Sequence, residues 1–425
     1  DDIQAAIDSL PETGGCICIK TGLHEIGRPL RIENSNIVLH GETAGARIRR
    51  QNGVSVLIVQ SPDGKQLEDV KVHGIRFETM ARPDDEDPYP FVMLFANRCT
   101  NFLLQDCALS PDRFDFMLGV WMGGIEGGVI EGCEIGPVGM GIWVAEDSTG
   151  LAVRNCRIRA EFLDGVDAGS VGIWLEDVYG AAMIEGNRIL NFLSGIYINR
   201  NSTGELPASF ANGSIVRGNR IKRSASSGDP VDGQRLFAIE YAASGGLVRG
   251  NIMSYESPAY GGIRVTGRNV RIEKNDLVSN RTPDADGGSL MPIGIQLGLI
   301  NEKVTGHGEA GEISQNRLRG TQDAILSLGA SKAKITGNRI DGGETRARTG
   351  IMAGAGDNIE ISGNEFLRTE FLITLGEGED CSVSDNTLLG GRLGILATKQ
   401  TGLSVRGNRL TGLSAGGMLI GPTEG

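Results

Sequence analysis

Apolar and polar positions along this chain repeat in one short phrase: an aliphatic residue, two variable residues, a ladder residue, one more residue, then an aliphatic. It reads Ile184-Glu185-Gly186-Asn187-Arg188-Ile189 and Val216-Arg217-Gly218-Asn219-Arg220-Ile221. Later copies centre on Asn251, Asn275, Asn316, Asn338, Asn364, Asn386 and Asn408. Earlier copies place cysteine there, at Cys107, Cys133 and Cys156, and the copy at Val72–Phe77 places Ile75. Successive copies lie 22 to 41 residues apart. A repeat of that length is one turn of a solenoid.

A second phrase follows each ladder phrase: small residue, aliphatic, variable, aliphatic. Examples are Gly141-Ile142-Trp143-Val144, Gly172-Ile173-Trp174-Leu175, Gly195-Ile196-Tyr197-Ile198, Gly262-Ile263-Arg264-Val265 and Gly294-Ile295-Gln296-Leu297. Both phrases alternate with period two, which predicts strands. A helical period occurs only at Ile3 to Leu10, the expected cap on the first coil. Three short strands per coil predict an all-β chain, a single-stranded right-handed parallel β-helix. It should have about 14 coils, with the repeated Asn bonded along the stack. Residues 1–425 read as one domain: cap and entry coils at 1–60, loop-decorated coils at 61–312, lean coils at 313–425.

The opening makes this specific. Asp2-Ile3-Gln4-Ala5-Ala6-Ile7, then Gly14-Gly15-Cys16-Ile17-Cys18-Ile19, then Gly22 and Ile37-Val38-Leu39-His40-Gly41 resemble the entry segment of the pectate-lyase-like superfamily. The ladder phrases resemble that superfamily's right-handed β-helix repeats, and the likeness covers nearly the whole chain. It implies the fold and, in general terms, glycan binding along a strand face. It does not imply one reaction, because the scaffold hosts many.

Spacing between ladder copies locates the candidate site. Coils after Asn316 are short, and the surplus falls at 78–90, 157–170, 222–236, 253–260 and 278–292 before the second phrase, and at 199–214 and 299–312 after it. Long segments flanking one strand stack should wall a groove. Its floor is the variable residue of the second phrase: Trp143, Trp174, Tyr197, Glu240, Arg264 and Gln296, with Glu176 and Asn199 in a second outward row. Aromatics are only 5% of the chain, so their alignment reads as a platform for sugar rings. They could equally form a secondary core under the loops. Farther on, the same row becomes Leu326, Met352, Thr374, Leu396 and Leu419, an apolar stripe expected to mark a homo-oligomer interface.

Carboxylates concentrate in the walls: Glu161, Asp164 and Asp167 on one, Asp229 and Asp232 on another, with Glu240 on the following strand. Glycosyl transfer needs two carboxyl groups, one protonated and one ionised. Glu240 with Asp229 or Asp232 is the first choice, Asp164 or Asp167 the second. The aspartates also suit turns, as in Asp164-Gly165 and Asp232-Gly233. Inulin fructotransferase and its difructose-anhydride hydrolase relatives are similar in pairing an Asp with a Glu at the groove. That resemblance implies such roles for Asp229 and Glu240, and a trimer.

Pectin-type hydrolase motifs occur only out of order, as Gly306-His307-Gly308 after Arg220-Ile221-Lys222, although His307 stands on a wall and is kept as a substrate-binding candidate. A polysaccharide lyase acting by β-elimination on a uronic-acid glycan is the alternative enzyme. It would use Arg264 with Tyr255 or Tyr260, and Ca²⁺ held by Asp284 and Asp286 or by residues 84–87. A non-catalytic glycan-binding or tailspike-like β-helix is the third reading. No cofactor or metal is otherwise expected, since transition-metal spacings, a P-loop and a dinucleotide fingerprint are missing.

A net charge of −12 argues against nucleic-acid or anionic-membrane partners. Seven cysteines suggest no disulfide framework and read as buried free thiols. Residue 1 is Asp with no signal-peptide pattern after it. A secreted or periplasmic location is expected if a leader was removed, a cytoplasmic one otherwise.

Overall fold

The computed structural model describes residues 2–80, 89, 91–112, 117–160, 170–199, 211–224, 236–256, 260–280, 292–298, 308–343 and 347–421. They fall into two compact units, Asp1–Ser214 and Ile215–Gly425, and each is a parallel β-helix.

In the first unit the helix Asp2–Asp8 precedes the coils, with Ile7 buried. Seven described strands stack in the sheet that precedes the ladder corner, from Gly15–Ile19 to Met183–Glu185. The second unit has eight, from Ile215–Arg217 to Ser404–Arg406. Every described pairing in these two stacks is parallel and free of register shifts, for example Val129↔Ala152 and Ile130↔Val153. The inward column is aliphatic and dry: Leu104, Ile130 and Val153 are fully buried, as are Ile272, Ile313 and Ile335.

The ladder phrase is a corner. The residue just before the ladder residue takes a left-handed backbone, as at Gly186 (φ 66°) and Gly218 (φ 64°). That conformation explains the glycine in the phrase. The ladder residue then points inward. Asn275 is buried and its Nδ2 donates back to Val248 O at 2.9 Å. Its backbone N–H and Nδ2 both donate to Oδ1 of Asn316 at 2.9 Å. The same pattern links Asn219, Asn251, Asn275, Asn316, Asn338, Asn364, Asn386 and Asn408. Each buried amide is thereby satisfied by its neighbours on adjacent coils.

Cysteine performs half of this task. The thiols of Cys107, Cys133 and Cys156 reach backward to Val72 O, Leu104 O and Ile130 O at 3.6–3.7 Å. They offer no amide oxygen to the coil before. Cys156 is where the pattern changes, its N–H donating to Asn187 Oδ1 at 2.9 Å. Burial pushes the Cys99 and Cys107 thiols up to about 12, which keeps them protonated and inert. Cys16 and Cys18 depart from the buried-thiol expectation. Both are exposed, because Ile17 and Ile19 take the inward side of their strand.

The small residue that opens the second phrase has a steric cause. A Cβ on Gly141 would lie 2.2 Å from Gly172 O, and one on Gly294 would lie 2.4 Å from Ala324 O. The chain enters this strand too close to the next coil for a side chain. The variable residue two positions later then faces outward.

Candidate functional site

In the first unit the outward column of this strand stack runs Ile58, Phe95, Trp121, Trp143, Trp174, Tyr197. It contains the three predicted aromatics and two that the sequence reading missed, Phe95 and Trp121. Trp121 sits in Gly119-Val120-Trp121-Met122, a regular second phrase, and was readable. Phe95 follows Met93-Leu94, without the small residue that marks the other copies.

The rings stack on one another. Trp143 and Trp174 lie 4.9 Å apart between centroids at 8°, and Trp174 and Tyr197 lie 6.0 Å apart at 23°. Tyr89, Phe95 and Trp121 form another stack, at 3.6 and 4.4 Å. Coil spacing of about 4.8 Å falls within the centroid separations of paired aromatic rings, about 4.5–7 Å, so the fold itself imposes the stacking. The series breaks between Trp121 and Trp143. The Trp121 ring leans along its own strand over Gly123, where a Cβ would come within 2.2 Å of Cη2.

Neighbouring polar residues hold the indoles edge-on. Trp143 Nε1 donates to Glu176 Oε2 at 2.8 Å, and Trp174 Nε1 donates to Asn199 Oδ1 at 2.7 Å. Each acceptor lies two residues beyond the ring position, one coil further on. Glu176 was expected on an outward, solvent-facing row, yet it is buried. Its register does face outward, and the indole of Trp143 closes over it. Trp174 therefore presents an edge to solvent, with its faces taken up by Trp143 and Tyr197.

In the second unit the column runs Glu240, Arg264, Gln296, Leu326, Met352, Thr374, Leu396, Leu419. The register is the one the sequence predicts. Glu240 is buried and ion-paired with Arg264 Nη2 through Oε2. The Arg264 guanidinium also lies 4.9 Å over the centroid of the Phe237 ring, a cation–π contact that shields the pair on one side. Gln296 is buried, its Nε2 donating to Gly298 O at 3.1 Å.

The Glu240 carboxylate is paired with the Arg264 guanidinium, a partner that suits a base or nucleophile rather than a proton donor. Tyr255 cannot act as a base: it is fully buried, and burial pushes its hydroxyl well above the usual phenol range. Asp164, Asp167, Asp229, Asp232 and His307 lie outside the described residues, as do Glu161, Asp284, Asp286, residues 84–87 and the side chain of Tyr260. Among the described residues no helix is long and apolar enough to cross a membrane.

The apolar stripe is only partly exposed. Leu326 is buried in a cluster with Phe237 and Ile293, which corrects the expectation that the stripe is bare from its start. Met352 and Leu419 are exposed.

Two family models match parts of the chain. One, described as a right handed beta helix region, matches residues 91–235. The other, described as periplasmic copper-binding protein (NosD), matches residues 293–422. Among its described residues no three His, Cys, Asp or Glu side chains converge as a metal site; its one thiol is the buried Cys381, raised by desolvation, and its one histidine, His307, is not described.

Among solved structures the chain is similar to the catalytic unit of a thermostable GH87 alpha-1,3-glucanase from Streptomyces thermodiastaticus strain HF3-3. Identity is 13%, coverage 98% of this chain and 67% of that one, and the TM-score 0.50. It is also similar to DFA-IIIase from Arthrobacter chlorophenolicus A6 in complex with DFA-III, at 13% identity, with 79% and 88% coverage and a TM-score of 0.53. These are likenesses of fold. No curated protein sequence matches the chain. Together the pairings and the family model establish a right-handed parallel β-helix.

Proposed function

We propose that this right-handed parallel β-helix protein is a carbohydrate-active enzyme that cleaves or transfers glycosidic bonds of an oligo- or polysaccharide by carboxylate chemistry. The aromatic column carries the reading. Five successive coils of the first unit put Phe95, Trp121, Trp143, Trp174 and Tyr197 on one outward face. Four of them are half-buried, apolar in body and wet at the edge, the condition in which aromatics serve recognition. Among the described residues no second ring stacks on the other face of Trp143, at the break beside Trp121. Sugars are assigned to that face and to the ring edges.

The reaction is assigned to the second unit. Glu240 stands on a strand, where Glu is disfavoured, and is ion-paired with Arg264. It takes the role of base or nucleophile. The protonated partner that glycosyl transfer also needs is assigned to Asp229 or Asp232. The two similar structures, a glucanase and a DFA-IIIase, support the direction of this reading.

The test is turnover by Glu240→Gln on a glycan that the wild type cleaves. Loss of product with binding retained supports the role, and full activity removes it. Binding without product from the wild type would favour the non-catalytic glycan-binding reading. The lyase reading loses Tyr255, the one candidate tyrosine base whose side chain is described.

A further inference from the structure

On another face of the first unit, in the sheet that precedes the ladder corner, three metal-ligating side chains line up. The strands Gly15–Ile19, Ile37–Gly41 and Lys71–His73 pair in register, with Cys18 opposite His40 and His40 opposite His73. All three positions point outward. Cys18 is exposed, and His40 and His73 are half-buried. The imidazoles are stacked, 5.2 Å between centroids at 14°.

We propose that Cys18, His40 and His73 form a binding site for a borderline transition cation, with Zn²⁺ the ion whose ligand preferences the set matches. One thiolate and two imidazoles are nitrogen and sulfur donors of the kind Zn²⁺ takes in four-coordinate sites, and three protein ligands leave one position for water. Among the described residues no three such groups already converge on a point. Here they stand one per coil. To share an ion, the two ring nitrogens must close to roughly 3.4 Å of one another. The rings start parallel, so a tilt about the side-chain torsions of two outward-facing residues supplies the movement.

Two observations favour a cation here. His40 Nδ1 lies 3.3 Å from Gly41 O, a contact in which Nδ1 donates to the carbonyl, so that Nε2 is the nitrogen placed to ligate. Metal-ligating histidines typically make such a bond with their second nitrogen. The Asp106 carboxylate lies near enough to His73 to act on it electrostatically, and it adds negative potential on that side. Cys16 makes an internal control. It is exposed on the same strand, but its register partner is Val38.

The test uses the full chain, reduced and stripped of metal. Zn²⁺ is titrated by calorimetry, and Co²⁺ by absorption as a spectroscopic stand-in. The expected result is one ion per chain and a thiolate-to-cobalt band in the near ultraviolet. Cys18→Ser removes that band. His40→Ala and His73→Ala each weaken Zn²⁺ binding at least about tenfold, the lower end of what losing even a ligand's supporting partner costs. Cys16→Ser changes neither. No saturable binding, binding that survives all three substitutions, or equal loss on Cys16→Ser overturns the site. Alkylation of the wild type is a check that needs no variant: Zn²⁺ should slow modification of Cys18 and leave Cys16 unaffected, and equal rates contradict the proposal.

Discussion

Trp143 donates its indole N–H to Glu176 across one coil step, at 2.8 Å. A buried carboxylate thus fixes the orientation of the ring to which the sugar is assigned. Hydrogen bonds to charged groups contribute about 1.5–3 kcal/mol, enough to hold one rotamer.

Glu176→Gln keeps the shape and can still accept from the indole, so glycan affinity should fall little. Glu176→Leu removes the acceptor and leaves a buried N–H. It should weaken glycan binding by about tenfold or more, the effect of about 1.4 kcal/mol, and should change the Trp fluorescence spectrum. Equal affinity in both variants would show that the bond does not position the ring.

The Asn ladder predicts a graded stability series. Asn275→Ala removes the acceptor for Asn251 N–H and Nδ2, whose bonds are 3.0 and 2.9 Å, and loses the donation to Val248 O. Leaving a buried donor unmade costs about 1–3 kcal/mol, so unfolding should shift by at least that amount. Asn408→Ala should cost less, since Asn408 is only half-buried. Asn275→Cys should fall between wild type and Ala, because cysteine retains the backward donor. Denaturant unfolding that ranks these differently would contradict the division of labour read from Cys107, Cys133 and Cys156.

Acid should weaken the entry coils. His73 sits below 6.5 in the folded chain, chiefly through burial and then through the charge of His40. The unfolded chain therefore binds more protons between the folded and unfolded values. Stability from this group is intact above about 6.5 and is lost as pH falls below it toward the lowered folded value. His73→Gln should flatten that part of the stability curve. Unchanged pH dependence in the variant would remove His73 as the cause.

The apolar stripe is proposed as a self-association face. Met352 and Leu419 are exposed on one outward column with Leu396. Met352→Glu with Leu396→Glu should lower the mass seen by sedimentation if copies meet there. A wild type that sediments as a monomer at high concentration would exclude it.

Much of this was legible in the sequence because the fold is periodic. The ladder phrase gave the corner, the inward column and the neighbour of every outward residue, down to Gln296 opposite Leu326. What it could not give was rotamer and contact. Nothing in Gly172-Ile173-Trp174-Leu175 says that the ring faces are spent on Trp143 and Tyr197, or that Trp121 leans over Gly123. Burial of Glu176 and Leu326 likewise depends on side chains from other coils. The exposure of Cys18 was readable from the alternation Cys16-Ile17-Cys18-Ile19. A general preference of cysteine for the interior pointed the other way, and the local period decided the outcome.

The most direct test of the central claim is a product profile for wild type and Glu240→Gln, run against neutral and uronic glycans with and without chelator. The account predicts saturated sugar products from the wild type, insensitive to chelator, and none from Glu240→Gln despite retained binding. Unsaturated products, or undiminished turnover by Glu240→Gln, would contradict it.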